Sequence, residues 1–265
     1  MSTKTSTGRS QSSGRSDSST ERVLGLLGLF TAEKPIWTAD MLIEHEGLGR
    51  ATVYRYLKAL TESGFLTSVG GSGYALGPRC VEMDRQIRLA DPLLQIAPQA
   101  MDRIAEKVGG LQLLCRYYGT SVLCIHQQQT DNRIESFFQR GKPLPLFKGS
   151  PSKIILANLP QARLQKLFLY HPEEIQAADM GTTWLDFRES LKVMKKQGYS
   201  VASDFDASLV GVSAPIFVGP DEVTGSLCLV RLKDECTTAD IKHLGELATQ
   251  TASEITEQLM HARDS

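Results

Sequence analysis

A chain of 265 residues with 41% hydrophobic and 22% charged side chains can bury two ordinary domain cores, which excludes disorder as a description of the whole. A formal net charge of −1 excludes a protein that coats nucleic acid nonspecifically, because such coating needs many cations, but it leaves sequence-specific binding open. The chain shows no secretion-signal core and no apolar run long enough for a bilayer, so a cytoplasmic protein without a membrane partner is expected.

Residues 1–19 form a Ser/Thr-rich segment with almost no apolar side chains, expected to be a flexible tail; Arg9 and Arg15 add weak phosphate attraction at most. Residues 20–78 then read as one DNA-binding domain. Thr20 can cap a helix through Phe30 whose apolar residues lie on more than one side, leaving a spare face for core or for a dimer partner. Thr38 caps a short second helix anchored by Met41, Leu42 and Ile43 and closed by Gly47. Gly49 opens a third, in which Val53, Leu57 and Leu60 recur at i, i+4, i+7 on a buried face with Tyr56 at its margin. Ala51, Tyr54, Arg55 and Lys58 point the other way, a small residue, an aromatic and two long cations suited to a major groove. Helix pairs joined by a glycine turn are common outside DNA-binding proteins. The continuation is more specific: Phe65-Leu66-Thr67 and Tyr74-Ala75-Leu76 read as two strands around Gly70-Gly71-Ser72-Gly73, a wing whose glycine tip admits phosphates. The acids Asp40, Glu44 and Glu46 gather on the scaffold helix and the cations on the next one. The expected DNA-contacting set is therefore Thr38, Arg50, Ala51, Thr52, Tyr54, Arg55 and Lys58, with Gly71 and Tyr74 in the wing.

After Gly77-Pro78, residues 79–91 read as a linker helix, and Asp91-Pro92 starts a helix toward Val108. Residues 92–265 form the second domain. Strands are expected at Leu111–Tyr118, Val122–Gln128, Arg133–Phe138, Tyr199–Ser203, Gly211–Val218 and Gly225–Leu232. Helices are expected from Ser150 as N-cap with Pro151 at the first helical position, over Ala162–Tyr170, over Trp184–Gln197, and from Thr238 to His261. An antiparallel sheet with flanking helices, an α+β sensor-type domain, is implied.

In this order the elements resemble the IclR family of bacterial transcriptional regulators. The resemblance rests on Gly47-Leu48-Gly49-Arg50-Ala51-Thr52-Val53-Tyr54-Arg55, on Gly73-Tyr74-Ala75-Leu76-Gly77-Pro78, on Gly198-Tyr199 and on Ser213-Ala214-Pro215-Ile216, and it covers nearly everything after the tail. It implies a winged helix-turn-helix joined to a GAF-like effector-binding domain, assembly as dimers or dimers of dimers on a palindromic double-stranded operator, and control of catabolism of aromatic or small organic acids. There are departures in the second domain. Where the family has a His-x-Thr-x-x-Gly-Lys pattern, Phe147-Lys148-Gly149-Ser150-Pro151-Ser152-Lys153 matches only in its last lysine; Asp204, with Asp206 nearby, stands for the usual glutamate, and Gly211 for a frequent cysteine.

For the effector, the start of the Ser150 helix offers free amides and a positive dipole end to a carboxylate, with Lys148 adding charge and Phe147 an apolar wall, although Ser150 can equally serve only its own helix. The candidate set is Tyr117, Cys124, His126, Phe147, Lys148, Gly149, Ser150, Asp204, Asp206 and Ser213. No cofactor or metal is expected: Cys80, Cys115, Cys124, Cys228 and Cys236 form no CxxC pair and read as reduced thiols, mostly buried. A hydrolase using Ser150, His126 and Asp204 is the alternative, but no Gly-x-Ser-x-Gly elbow supports it, so no catalytic residue is assigned. A ligand sensor that has lost DNA contact is a further alternative, disfavoured by Arg50, Arg55 and Lys58.

Overall fold

The computed structural model describes residues 18–134 and 138–264, and the chain divides into two units, Met1–Arg88 and Leu89–Ser265. Most of the expected tail, residues 1–17, lies outside the described residues. In the first unit α1 (Ser19–Gly25) is capped by Ser18, not Thr20: Ser18 Oγ accepts from the Glu21 amide and the Glu21 carboxylate accepts from the Ser18 amide. The helix does not run on to Phe30 but tightens to a 3₁₀ turn over Leu26–Leu29, where Gly25 and Gly28 weaken the α-helical register.

A two-residue strand, β1 (Trp37–Thr38), leads into α2 (Ala39–Glu46), and the Thr38 hydroxyl accepts from the Met41 amide at 3.3 Å. Gly47 ends α2 at φ 66, a left-handed conformation that costs a residue with a Cβ. After it, α3 (Arg50–Glu62) buries Val53, Tyr56, Leu57 and Leu60 against Leu26, Trp37, Leu42 and Leu66. Tyr56 is more deeply placed than its position in the sequence suggests: its ring is buried and its hydroxyl lies 3.0 Å from Ser19 Oγ. The wing follows as antiparallel β2 (Leu66–Val69) and β3 (Gly73–Leu76), and β1 adds a third strand on β3. Last comes α4 (Pro78–Ala90), which buries no residue and leaves Val81, Met83, Ile87 and Leu89 exposed.

The second unit is built on six antiparallel strands: β4 (Leu111–Tyr117), β5 (Val122–Gln129), β6 (Pro143–Leu144), β7 (Ser200–Ala202), β8 (Leu209–Gly219) and β9 (Glu222–Leu232), in the order β6-β5-β4-β9-β8-β7. Alternation sorts their side chains. Val210, Val212, Ala214 and Ile216 of β8 and Leu227 and Leu229 of β9 face α5 (Pro92–Val108) and α10 (Thr238–Asp264). The opposite face is covered by α6 (Ser150–Ala157), α7 (Gln161–Tyr170), α8 (Pro172–Ala177) and α9 (Trp184–Gln197), with Ile154, Leu164, Ile175, Phe187 and Leu191 in a second core.

Three expectations change here. Residues 132–134 form a turn and bend instead of a strand, because Asp131 Oδ1 takes the Arg133 amide and the chain has no ladder partner there; residues 135–137 of that expected strand lie outside the described residues. The edge strand is instead Pro143–Leu144, paired to Val122 and Leu123. The helix α8 was not expected, although Pro172 at its start and Glu173 and Glu174 in its first turn are ordinary start signals.

Since Leu57 is 1% exposed in the core between α2, α3 and the wing, Leu57→Ala is expected to lower the stability of the first unit by about 2–5 kcal/mol through transfer loss and a cavity. A denaturant melt that shows no loss in that unit would mean its helix faces are assigned wrongly.

Candidate functional site

Burying Val53, Tyr56, Leu57 and Leu60 turns the other side of α3 outward, so Arg50, Ala51, Tyr54, Arg55 and Lys58 are all exposed there and Thr52 sits half-buried at the edge. Arg50 lies 3.6 Å from Asp40 and 5.7 Å from the Tyr54 ring, and its pKa is raised, first by the Tyr54 hydroxyl and then by Asp40. Lys58 approaches Glu62 at 3.7 Å along the same helix. These contacts are solvent-exposed and weak, so phosphates or bases can replace them. The wing tip is open: Gly71 and Ser72 both have positive φ, and nothing lies within 4 Å of where a Gly71 Cβ would be. Thr38 and Tyr74 differ from the rest of the set. The Thr38 hydroxyl is used as a cap, and Tyr74 is half-buried against the core of the unit.

In the second unit the site grows from one packing fact, the docking of the first turn of α6 onto the small residues of β8 and β9. Ser150 is the first residue of α6, not its cap; the cap position belongs to Gly149 at φ 77, where an added Cβ would strike the Phe205 ring. Freed from capping, the buried Ser150 hydroxyl lies 2.8 Å from Ser213 Oγ and 3.6 Å from Cys228 Sγ. A Cβ on Gly211 would sit 2.8 Å from Ser150 Oγ and 3.5 Å from Cys228 Sγ, so it is the absence of a side chain at 211 that lets this cluster form. Ser200 Oγ, on β7, donates to Ser150 O and Ser226 Oγ, on β9, to Pro151 O, anchoring the turn from two strands. Burial pushes the Cys228 thiol up to about 11, so it stays protonated as a neutral partner.

The anion position at this helix start is already filled from within the chain. Asp204 Oδ1 accepts from the Gly149 amide at 2.9 Å and Oδ2 from Lys153 Nζ at 2.7 Å. The cation held there is Lys153, 13% exposed in its side chain, while Lys148 is exposed and Phe147 is buried in the core beside Phe187. Asp206 ties its own loop by accepting from the Ser208 amide and hydroxyl, which lowers its pKa. Phe205 meets Phe138 edge-on at 5.2 Å, and the cavity among Leu113, Gly149, Ser150, Asp204, Phe205 and Cys228 has only about 30 Å³. That is room for a water and not for an aromatic ring.

Tyr117, Cys124 and His126 are not brought together at this cavity. A bulge in β5 opposite Leu114 and Cys115 resets the alternation. Cys124 is paired with Cys115 on the α6 side, whereas His126 is paired with Leu114, which packs on the α5 and α10 side. Tyr117 donates to Gly119 O and accepts from Arg163, away from the serine cluster. Ser150, His126 and Asp204 therefore form no relay: the serine is bonded to Ser213, the carboxylate to Gly149 and Lys153. All five cysteines are free, and Cys115 is held well above its ordinary range by a hydrogen bond with Cys124 and by burial, while the same bond lowers Cys124. Sequence reading missed Lys153, Phe205, Gly211 and Cys228 as members of the site. Lys153 carried a signal, as the lysine matching the family pattern, and Gly211 one as the place of a frequent family cysteine; Phe205 and Cys228 carried none.

A winged helix-turn-helix and a separate α+β unit in one chain define a transcriptional regulator. The chain belongs to the IclR family: residues 90–257 match the bacterial transcriptional regulator IclR C-terminal domain and residues 19–70 the IclR helix-turn-helix domain. It is 21% identical over 241 residues to the transcriptional regulator KipR of Bacillus subtilis, covering 89% of this chain and 94% of that one. An IclR-type regulator from Silicibacter sp. TM1040 superposes with a TM-score of 0.78 at 20% identity, over 92% of this chain and 96% of that one. An IclR homologue from Microbacterium hydrocarbonoxydans, solved with 4-hydroxybenzoate, gives 0.74 at 20% identity over 94% and 100% of the two chains. The families and relatives are regulators and not enzymes. Among the described residues no helix is long and apolar enough to cross a membrane.

The Ser150–Ser213 contact makes a paired prediction. Ser150→Ala is expected to cost about 1–3 kcal/mol by orphaning the buried Ser213 hydroxyl, and adding Ser213→Ala is expected to recover part of it, because a buried pair removed together leaves no unmet group. Chemical melts of the two variants check this; additive losses would rule out the contact as the cause.

Proposed function

We propose that this protein is a cytoplasmic regulator that binds a palindromic operator as a dimer and releases or engages it in response to a small aromatic carboxylate, in control of a catabolic operon. For DNA, the reading is supported by the outward face of α3, where Ala51, Arg55 and Lys58 lie centrally with Arg50, Thr52 and Tyr54 around them, and by the open wing tip at Gly71. Thr38 fixes the start of α2, and Tyr74 ties the wing strand β3 to β1 opposite Trp37. For self-association, the support is the exposed apolar run Val81, Met83, Ile87 and Leu89 on α4 together with Leu24 on α1.

The observation that carries the effector class is Asp204. A carboxylate on the Gly149 amide and Lys153 is what the start of α6 holds in this structure, and an effector carboxylate satisfies the same donors if the Asp204–Asp206 loop and its Phe205 move aside. The move opens the small cavity beside Ser150, Ser213 and Cys228, which supplies hydroxyl and thiol partners for a second polar group on the ring. Lys148, exposed, would then steer the anion from outside while Lys153 holds it. The 4-hydroxybenzoate bound to the Microbacterium homologue supports a ligand of this size and chemistry. Regulation requires that the effector favour one arrangement of the paired winged helices, and by linkage DNA then changes effector affinity by the same factor.

Two measurements test the two halves. Arg55→Ala is expected to weaken operator binding by about 1–3 kcal/mol at fixed salt with the fold intact, and unchanged affinity would remove Arg55 from the interface. In calorimetry, 4-hydroxybenzoate is expected to bind more tightly than 4-hydroxybenzamide, and Lys153→Ala to erase that preference. Asp204→Asn is expected to tighten carboxylate binding by removing an internal competitor; weaker binding would show that Asp204 contacts the ligand instead of yielding to it.

A further inference from the structure

We propose that the second unit has another binding site, a cleft between the α6–α7 corner and α9 that takes a planar organic dianion of the aromatic dicarboxylate class. It does not rest on the effector reading, although α6 borders both places. The cleft has a volume of about 420 Å³, within the span of about 300–1,000 Å³ common for small-ligand sites. Leu159, Leu164 and Leu191, all buried, make an apolar floor. Trp184 makes a wall, its ring braced edge-on by Phe168 at 5.8 Å and faced by the Arg188 guanidinium at 5.9 Å. An aromatic ring entering there meets both a stacking surface and a cation.

Charge decides the ligand class. Arg188, Lys192 and Lys195 follow one another at intervals of four and three along α9, so all three lie on one helical face toward the cleft. The only acidic lining residue among those described is Asp221, in the turn between β8 and β9, although the chain as a whole is formally −1. Lys192 touches Glu189 at 3.3 Å in an exposed pair that contributes little, and among the described residues Lys195 makes no ion pair. Across the cleft the cap position before α7 is Pro160, which offers no side-chain acceptor to the first amides, so the dipole of that helix adds to the same sign. Cations one turn apart on a helix have Cβ atoms about 5–6 Å from each other and repel. A ligand with one carboxylate neutralises one of them; a dicarboxylate reaches two and removes the repulsion, while its ring fills the space between Trp184 and the leucines.

The experiment uses the full chain and terephthalate as the probe. The sequence has two tryptophans, Trp37 in the first unit and Trp184 in the cleft, so Trp37→Phe leaves Trp184 as the sole reporter. Saturable quenching of Trp184 is expected. It should weaken about tenfold or more when Lys192→Glu and Lys195→Glu are introduced together, and fail with the neutral diamide. Because Trp37 is buried, calorimetry of the otherwise native chain with and without the lysine reversals repeats the comparison without that substitution. Quenching that is linear in concentration, or equal affinity for the charge-reversed chain or for the diamide, would overturn the cleft assignment.

Discussion

The second unit depends on the two-residue period of β8 and β9. On one side of these strands stand Val210, Val212, Ala214, Ile216, Leu227 and Leu229, which give α5 and α10 an aliphatic surface to cover. On the other stand Gly211, Ser213, Ser226 and Cys228, small enough for the backbone of α6 to come close and polar enough to bond it. A shift of one residue in register would exchange the two faces, placing serines under α10 and leucines against the first turn of α6. Long pairing between β8 and β9, from Leu209↔Leu232 to Gly219↔Glu222, holds that register.

Once α6 is docked, its polar start becomes a site with little freedom. Of the buried hydroxyls here, those of Ser150, Ser200, Ser213 and Ser226 bond one another or the carbonyls of the turn, while Ser152 Oγ has no partner. The Gly149 amide and Lys153 are donors that an anion satisfies, and Asp204 supplies one from the loop after β7. The proposed effector would compete with Asp204 for these donors, an exchange of one charge-assisted pair for another. Under that proposal the exchange would depend on loop position as well as charge, since the Phe205 ring between Asp204 and Asp206 packs on Gly149 and Phe138.

The first unit solves a different problem, the presentation of cations by a chain that has almost no net charge. Asp40, Glu44 and Glu46 lie on α2 and Arg50, Arg55 and Lys58 on α3, and the buried face of α3 fixes which of those cations turn outward. Local polarity, and not composition, makes this surface suitable for DNA. The exposed pairs Arg50–Asp40 and Lys58–Glu62 cost little to exchange for phosphate contacts.

Much of this was legible in the residues themselves. The apolar spacing of Val53, Leu57 and Leu60, the Gly47 turn, the Thr38 cap and the glycine tip of the wing are local signals, and local backbone and packing rules suffice to read them. The same holds for α10, β8 and β9, whose long periodic patterns leave one solution. What the sequence could not determine was decided across distance. The bulge in β5 that separates Cys124 from His126 is set by the partner strand β4, so alternation along β5 alone gives the wrong shared face. Ser150 looked like a cap because Ser before Pro usually is one; it was drawn inward because Gly211, far along the chain, leaves a hole opposite it and Ser213 a partner beside it. The pairing of Lys153 with Asp204 across 51 residues has no local trace at all. Short-range patterns determine where helices and strands lie, but the partners of buried polar groups are chosen by whichever distant atoms the packed core brings within bonding distance, and only the tertiary structure contains that choice.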